Sequence, residues 1–219
     1  MIAHTRRPEG PDMEVAFVDL LPRAFYDRDT LTVARDLLGK QIVRVLPDGE
    51  RLVCAITETE AYIGPIDKAC HAYGYKHTPR TETLFAPPGT AYIYFIYGMY
   101  HCLNFVTEPE GEPCAVLIRG ARPVENGDII AKNRFGCKME DMSAYQRKNF
   151  LNGPGKLCRG LLLTREQNGL DLTDGEGPLY VCDGPAPERI RTGKRIGIDY
   201  AQEAVEFPWR FWLEKEDKK

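Results

Sequence analysis

Two carboxylates, a tyrosine and a histidine lie close together in the segment ITETEAYIGPIDKACHAYG, which covers residues 56–74. If residues 56–62 are extended, alternation places four side chains on one face: Ile56, Glu58, Glu60 and Tyr62. The Gly-Pro pair that follows turns the chain and can bring His71 back toward this face. A carboxylate held against aromatic surface gains the basicity that a general base needs. The alternative is an edge strand with a solvated acidic face.

Arg119 is the cation best placed to accompany these carboxylates. It lies within AVLIRGARP, an apolar segment in which an unpaired guanidinium would be costly to bury. We therefore expect Arg119 to pair with Glu60 or Glu58. A purely structural ion pair is the alternative, because buried ion pairs also occur without catalysis.

A tyrosine-rich hairpin, AYIYFIYGMYHCLN, covers residues 91–104. Tyr92 and Tyr94 share one face of its first strand, and each buried hydroxyl there needs a polar partner. Tyr97 and Met99 flank Gly98 at the tip, where exposed large apolar groups indicate a contact surface. An aromatic that projects from a hairpin can also act as a wedge between stacked bases. The alternative is a tip that folds back onto its own sheet.

The cysteines and histidines do not suggest a metal site. His71 and His101 each adjoin a cysteine, but their spacing fits no standard ligand set. None of the seven cysteines has another cysteine two residues away, so we expect reduced, mostly buried thiols. The sequence predicts no metal and no cofactor.

Hydrophobic periodicity and turn residues predict the elements that position these groups. Asp29 or Thr30 begins a helix over 31–40, and Gly153-Pro154 after Asn152 begins another over 155–163. Extended segments are predicted at 41–46, 51–62, 89–97, 99–106, 113–123, 179–183, 194–200 and 209–214. Because most strands are joined by tight turns, we predict an α+β fold: a single domain with a curved antiparallel β-sheet and surrounding helices.

The composition, with 219 residues of which 43% are hydrophobic, is sufficient for one sizeable core. We expect one domain over residues 19–213, a disordered tail over 1–18 and a charged tail over 214–219. No apolar run is long enough to cross a bilayer, and no secretory signal is recognisable. We therefore expect an intracellular protein, cytoplasmic with the nucleoid or nuclear, that is not secreted and has no membrane partner.

The charge is unevenly distributed along the chain. The net charge of -3 argues against a protein that coats nucleic acid. Residues 132–159, however, contain seven basic and two acidic residues, so this stretch could face a polyanion. A solvated helix surface is the alternative.

Five motifs in order give the chain a family resemblance: ETEAYIGPIDKACH, TPR, PPGTAYIYFIYGMYHCLN, AVLIRGARP and GPGKLC. At these spacings the chain resembles the alkyladenine (3-methyladenine) DNA glycosylases of base-excision repair, over most of its length from about residue 24. The resemblance implies a monofunctional glycosylase, a monomer, that flips a damaged purine out of double-stranded DNA and hydrolyses its N-glycosidic bond. The substrates implied are 3-methyladenine, 7-methylguanine, hypoxanthine and ethenoadenine.

The resemblance also implies a role for individual residues. Glu60 positions and deprotonates the attacking water, and Arg119 holds that carboxylate and the water. Five residues form the substrate pocket: Tyr62, His71, Tyr94, Leu84 and Asn104. Of these, Asn104 helps to choose among purines. Five residues contact DNA: Tyr97, Met99, Thr78, Arg80 and Lys156. Of these, Tyr97 fills the gap left in the duplex.

The chemistry of an alkylated purine agrees with a single catalytic carboxylate. Alkylation at N3 or N7 leaves the base cationic, so it departs readily and stacks well on tyrosine. A sugar glycosidase normally needs two flanking carboxylates, whereas here Glu60 can suffice and Glu58 is expected to be structural. No lysine nucleophile accompanies the motif, so an imine-forming lyase is not indicated.

Two other function classes remain open from the residues alone. A hydrolase of free nucleosides or small glycosides could use Glu58 and Glu60 as a pair, but it would not need an exposed Tyr97. A non-catalytic nucleic-acid-binding module could use the tyrosines as stacking platforms, but it would leave the pairing of Glu60 with Arg119 without a purpose.

Overall fold

The computed structural model describes residues 19–214, which form a single α+β domain. The predicted tail at 1–18 and residues 215–219 of the predicted charged tail lie outside the described residues. The helices are α1 Arg23–Tyr26, α2 Thr30–Asp36, α3 Gly127–Phe135, α4 Ala144–Lys148 and α5 Pro154–Gly160. The strands are β1 Gln41–Val45, β2 Arg51–Ile63, β3 Ala91–Ile96, β4 Tyr100–Thr107, β5 Cys114–Glu125, β6 Leu179–Cys182, β7 Ile190–Gly193 and β8 Arg210–Leu213.

All strand pairs in the sheet are antiparallel, as predicted. The order is β3-β4-β5-β2-β1-β6, with β8 added to β2 and β7 added to β8. The long strand β2 pairs with β5 on one side, and on the other side with β1 over its first half and with β8 over residues 58–60. Of the helices in the described part of the chain, none is long and apolar enough to cross a bilayer.

A β-bulge in β2 decides which side chains share a face. Pairing with β5 passes from Ile56 opposite Ala121 to Glu58 opposite Gly120, so one residue is inserted between them. Ile56 therefore packs in the main core beside the helices. The prediction of a common face is confirmed for Glu58, Glu60 and Tyr62. It is wrong for Ile56, because the bulge shifts the alternation by one residue.

The sheet carries a core on each face. The main core packs the sheet against α1, α2, α3 and α5 and includes Tyr26, Val33, Phe105, Ile130 and Leu157. A smaller cluster on the opposite face joins β3, β4 and β5 to the connection after β2 and contains Cys70, Ala72, Leu84, Tyr92, Val106 and Ala115. The candidate catalytic residues lie on this second face.

Most of the predicted elements are present, with shorter helices. Asp29 is the N-cap of α2, where its carboxylate accepts a hydrogen bond from the amide of Thr32 at 2.8 Å. The predicted strand over 194–200 is wrong: this segment is irregular after β7. Two features prevent pairing there, because Arg195 turns inward to a buried carboxylate and Gly197 adopts a φ of +77°. Helices α1, α3 and α4 and strand β7 were not predicted.

All seven cysteines are free thiols, and six of them are buried. Burial raises the pKa of Cys54, Cys70 and Cys114 to about 12. The prediction that the cysteines are mostly buried is confirmed.

Candidate active site

A cavity of about 620 Å³ opens on the second face of the sheet. Strands β2, β3, β4 and β5 supply its floor, and the connection after β2, the start of α5 and the irregular segment after β7 supply its walls. Its polar and aromatic lining includes Tyr62, His71, Tyr92, Tyr94, Asn104 and Arg119.

Glu60 lies directly behind the cavity wall and is fully buried. Its Oε1 accepts a hydrogen bond from the backbone amide of Ile196 at 2.8 Å and lies 3.4 Å from Nε of Arg119. Its Oε2 accepts a hydrogen bond from the hydroxyl of Tyr62 at 2.8 Å. Ile196 and Tyr62, the two hydrogen-bond donors, and the Arg119 guanidinium all line the cavity. A carboxylate has about four lone-pair sites, and the Tyr62 hydroxyl occupies only one of the two on Oε2, so Oε2 can accept a further donor.

The pKa of Glu60 is raised above its ordinary value. Burial is the main cause, because it disfavours the charged form. Arg119, the Ile196 amide and the Tyr62 hydroxyl oppose this effect by stabilising the carboxylate, and the Glu58 carboxylate adds to it. The site therefore holds a carboxylate that is more basic than a solvent-exposed glutamate.

Arg119 bridges the two carboxylates of β2. Its Nε lies 3.1 Å from Oε1 of Glu58, so the predicted pairing is present with both glutamates. Glu58 also accepts a hydrogen bond from Nη1 of Arg210 on β8 at 3.1 Å. Burial lowers the pKa of Arg119, but the two carboxylates outweigh it, and the pKa is raised. Glu58 thus fixes two guanidinium groups beside Glu60.

His71 is brought to the tyrosine hairpin by the connection after β2. Its ring packs edge-on against Tyr94 at 4.6 Å between centroids. Its Nδ1 lies 3.0 Å from the hydroxyl of Tyr92, and its Nε2 lies 3.3 Å from Nη2 of Arg80. Burial and Arg80 lower the pKa of His71 to about 4. Because a guanidinium can only donate, we assign the neutral tautomer in which Nε2 accepts and Nδ1 donates to Tyr92.

Asn104 is buried at the floor of the cavity, opposite Tyr92 on the neighbouring strand. Its Nδ2 donates hydrogen bonds to the backbone oxygens of Tyr92 at 3.0 Å and Cys102 at 3.3 Å. The side chain is thereby oriented so that its carbonyl oxygen is the atom left to meet a ligand. Leu84 is also buried and adds an apolar contact to the same cavity.

The tip of the tyrosine hairpin is exposed, as predicted. Tyr97 is 78% exposed and Met99 is 65% exposed. Tyr97 and Gly98 both adopt a positive φ, of 54° and 66°, which is the conformation of a tight hairpin turn. Tyr97 also contributes to the cavity lining, so the exposed ring lies at the cavity mouth.

A group of cations lies at another part of the mouth, on α3 and α5. Lys156 donates hydrogen bonds to the side-chain oxygens of Asn149 at 2.9 Å and Asn152 at 3.0 Å. Arg134 binds backbone oxygens, and its pKa is lowered by burial and then by the nearby charge of Arg159. Positive charge is therefore concentrated beside the opening.

The structure brings most of the predicted site residues to one cavity, with Glu60 just behind its wall. Three predicted DNA contacts do not line it: Thr78, Arg80 and Met99. Thr78 forms a turn with Thr81, and Arg80 lies over the Tyr94 ring at 5.6 Å. Their predicted roles at DNA depend on surface outside the cavity.

Sequence reasoning missed several residues at the site. Tyr92 could have been found, because it shares a strand face with Tyr94. Ile196 acts through its backbone amide, which carries no residue-type signal. Tyr145 and Tyr200 line the mouth, 74% and 67% exposed, but lie in segments for which no motif was recognised. Within residues 19–214, no three His, Cys, Asp or Glu side chains are grouped as metal ligands.

Comparison with known proteins gives a consistent result. A family model described as methylpurine-DNA glycosylase (MPG) matches residues 24–217. A protein of Clostridium perfringens (strain SM101 / Type A) is 52% identical over 196 residues, which cover 88% of this chain and 95% of that protein. A protein of Alkaliphilus oremlandii (strain OhILAs) is 50% identical over 193 residues, with the same two coverages. Both relatives carry the name "Putative 3-methyladenine DNA glycosylase".

Proposed function

The chain belongs to the methylpurine-DNA glycosylase family, and from this membership we propose that it removes damaged purines from double-stranded DNA by hydrolysing their N-glycosidic bonds. The relatives' names specify 3-methyladenine. We extend the proposed substrates to 7-methylguanine, hypoxanthine and ethenoadenine, with an abasic site as the other product. The enzyme acts as a monomer, in the compartment that holds the DNA, and uses no cofactor.

The observation that carries this proposal is the buried Glu60 carboxylate with one unused lone pair beside a tyrosine-lined cavity. Hydrogen bonds from Ile196 and Tyr62 orient it, and the Arg119 guanidinium forms an ion pair with it at 3.4 Å. A water molecule that donates a proton to the remaining site on Oε2 would be aimed at a sugar held at the cavity mouth. The raised pKa of Glu60 makes it an effective base for that water.

The proposed reaction needs one base and a good leaving group. The water oxygen forms a bond to C1′ as the bond from C1′ to the purine nitrogen breaks, and the bonding electrons leave with the base. The water proton passes to Glu60, whose negative charge also stabilises the positive charge that develops on the sugar. A purine alkylated at N3 or N7 leaves as a neutral molecule, so no second carboxylate is required.

The cavity offers a flipped base both stacking surfaces and polar selection. Tyr62, Tyr94 and His71 supply aromatic surface, which favours electron-poor alkylated bases. The oriented carbonyl oxygen of Asn104 favours a base that presents a hydrogen there and disfavours one that presents a lone pair. A neutral lesion such as hypoxanthine must gain a proton as it leaves.

Duplex DNA would dock over the cavity mouth. Tyr97 is placed to fill the gap that a flipped nucleotide leaves in the base stack, with Met99 beside it. The cations at 134, 156 and 159 would contact the phosphate backbone, and Thr78 and Arg80 would add contacts on the opposite side of the hairpin. Flipping exposes the glycosidic bond to Glu60.

Base release from synthetic duplexes that each carry one lesion tests the function. We expect the wild-type protein to release 3-methyladenine or 7-methylguanine and to leave free nucleosides intact. Glu60→Gln should bind lesion duplex normally while its single-turnover rate falls by about 10² or more. Glu112→Gln, which alters a carboxylate bonded to the exposed Tyr75, is the control. Full activity of Glu60→Gln would reject the mechanism, and cleavage of free nucleosides alone would favour a nucleoside hydrolase.

A further inference from the structure

We propose that Arg195, locked in a buried ion pair with Asp67, is a positioning residue that holds both the Glu60 carboxylate and the Tyr62 ring in their working arrangement. This inference rests on the proposed function, because it assigns a role in base release to residues that do not line the cavity. It concerns the segment after β7, where the sequence had predicted a strand.

The ion pair between Arg195 and Asp67 is completely buried. The guanidinium and the carboxylate form two parallel bonds, from Nη1 to Oδ2 at 2.5 Å and from Nη2 to Oδ1 at 2.8 Å. A two-pronged bond of this kind fixes orientation as well as distance, and lysine cannot reproduce it. The side chain of Arg195 is therefore held in one geometry.

The same guanidinium binds the backbone at two other places. Nη1 donates to the backbone oxygen of Ala61 at 2.9 Å, and Nη2 donates to that of Ala204 at 3.2 Å. Ala61 separates Glu60 from Tyr62 along β2. One side chain thus ties the strand that carries the proposed base to two segments that follow β7.

This anchor determines where the Ile196 amide points. Regular pairing of β7 with β8 ends at Gly193, so no sheet hydrogen bonds hold residues 194–200. Ile196 follows Arg195 directly, and its amide donates to Oε1 of Glu60 at 2.8 Å. The chain then leaves through Gly197 at a φ of +77°. The buried side chain of Arg195 takes the place of a strand in orienting this donor.

Arg195 also supports one wall of the cavity. Its guanidinium lies 4.7 Å from the ring centre of Tyr62 and 5.1 Å from that of Trp209. Tyr62 lines the cavity, whereas Arg195 does not, so the guanidinium backs the ring from behind. A flipped base that leans on Tyr62 would press against a wall that Arg195 keeps in place.

Release of this anchor should alter the titration of Glu60. The titratable groups that face Glu60 are Glu58 and Tyr62 on β2, Cys102 on β4, Arg119 on β5 and Arg195 itself. Loss of the Ile196 amide bond removes a donor that favours the carboxylate. The pKa of Glu60 then rises further, and because the base must be ionised, the acidic limb of the pH–rate profile moves to higher pH.

The test compares Arg195→Lys with Arg44→Lys. Arg44 is also a buried arginine, but it binds only the backbone oxygens of Val45 and Pro178 on the far side of the sheet. Single-turnover base release is measured against pH on folded protein. We expect Arg195→Lys to lose about tenfold in rate and to shift its acidic limb upward. Arg44→Lys should change neither, although both should lower the melting temperature.

Ile196→Pro provides a second route if Arg195→Lys does not fold. This change removes the amide hydrogen directly and leaves the buried ion pair in place. It should shift the acidic limb of the pH–rate profile to higher pH, because Glu60 loses the same donor. An unchanged limb in Ile196→Pro, or equal rate losses in the two arginine variants, would overturn the proposal. Failure of the wild-type protein to release any base would instead reject the proposed function.

Discussion

Arg119 lies closer to Glu58 than to Glu60: its Nε is 3.1 Å from Oε1 of the former and 3.4 Å from Oε1 of the latter. The guanidinium beside the proposed base is thus shared with a neighbouring carboxylate. Glu58 therefore has an electrostatic effect on Glu60 in addition to its structural role of holding Arg119.

We expect Glu58→Gln to move the acidic limb of the pH–rate profile to lower pH. The negative charge of Glu58 contributes to raising the pKa of Glu60, so its removal lowers that pKa. The rate at neutral pH should fall by about three- to tenfold, because Arg119 loses its closest partner. Glu203→Gln, which alters an exposed pair with Lys68, is the control and should keep the wild-type limb. A shift of the acidic limb to higher pH in Glu58→Gln would contradict the electrostatic effect assigned to Glu58.

Tyr97→Gly should stabilise the protein and impair its action on duplex DNA. Tyr97 has a positive φ, and glycine relieves a conformational cost of about 1 kcal/mol at such a position. Duplex binding and base release should fall by about tenfold or more, because the proposed wedge is lost. Thermal melts and binding to lesion duplex measure the two effects.

Tyr75→Gly is the matched control for that change. Tyr75 is also exposed and has a φ of 59°, but it lies outside the cavity lining. It should leave duplex binding unchanged. Equal losses of binding in the two variants would remove the case for a wedge at residue 97.

His71 should make stability depend on pH between about 4 and 6.5. Its pKa is lowered from 6.5 to about 4, so between these values the unfolded chain binds a proton that the folded protein does not. The contribution of neutral His71 to the free energy of unfolding is fully present above pH 6.5 and is lost as the pH falls toward 4. Urea unfolding of wild type and His71→Asn across this range measures the difference. Parallel pH curves for the two proteins would contradict the lowered pKa.

Arg159→Gln should weaken DNA binding uniformly across sequences. Arg159 is exposed at the cavity mouth beside Lys156, where a backbone phosphate would be bound. The logarithm of the binding constant falls with the logarithm of salt concentration. This dependence should become less steep by about one unit, which corresponds to the loss of one phosphate contact. Lys194→Gln, on an exposed cation paired with Glu206, serves as the control. An unchanged slope for Arg159→Gln would show that the DNA phosphate backbone does not contact Arg159.

The sequence was informative where side-chain type alone determines the contact. Arg119 in an apolar strand required a carboxylate partner, and the alternation of β2 placed Glu58, Glu60 and Tyr62 together. The same alternation misplaced Ile56, because a bulge depends on pairing with β5 and leaves no local signal. Residues 194–200 alternate like a strand, yet the burial of Arg195 against Asp67 overrides that pattern. Long-range pairing of this kind could not be predicted from local periodicity.

The burial of the cysteines has a consequence for attack by methylating agents. Such agents attack thiolates much faster than protonated thiols. With their pKa raised to about 12 by burial, Cys54, Cys70 and Cys114 remain protonated at neutral pH and inaccessible. The electrophiles that create a damaged purine therefore find little reactive sulfur at these three residues.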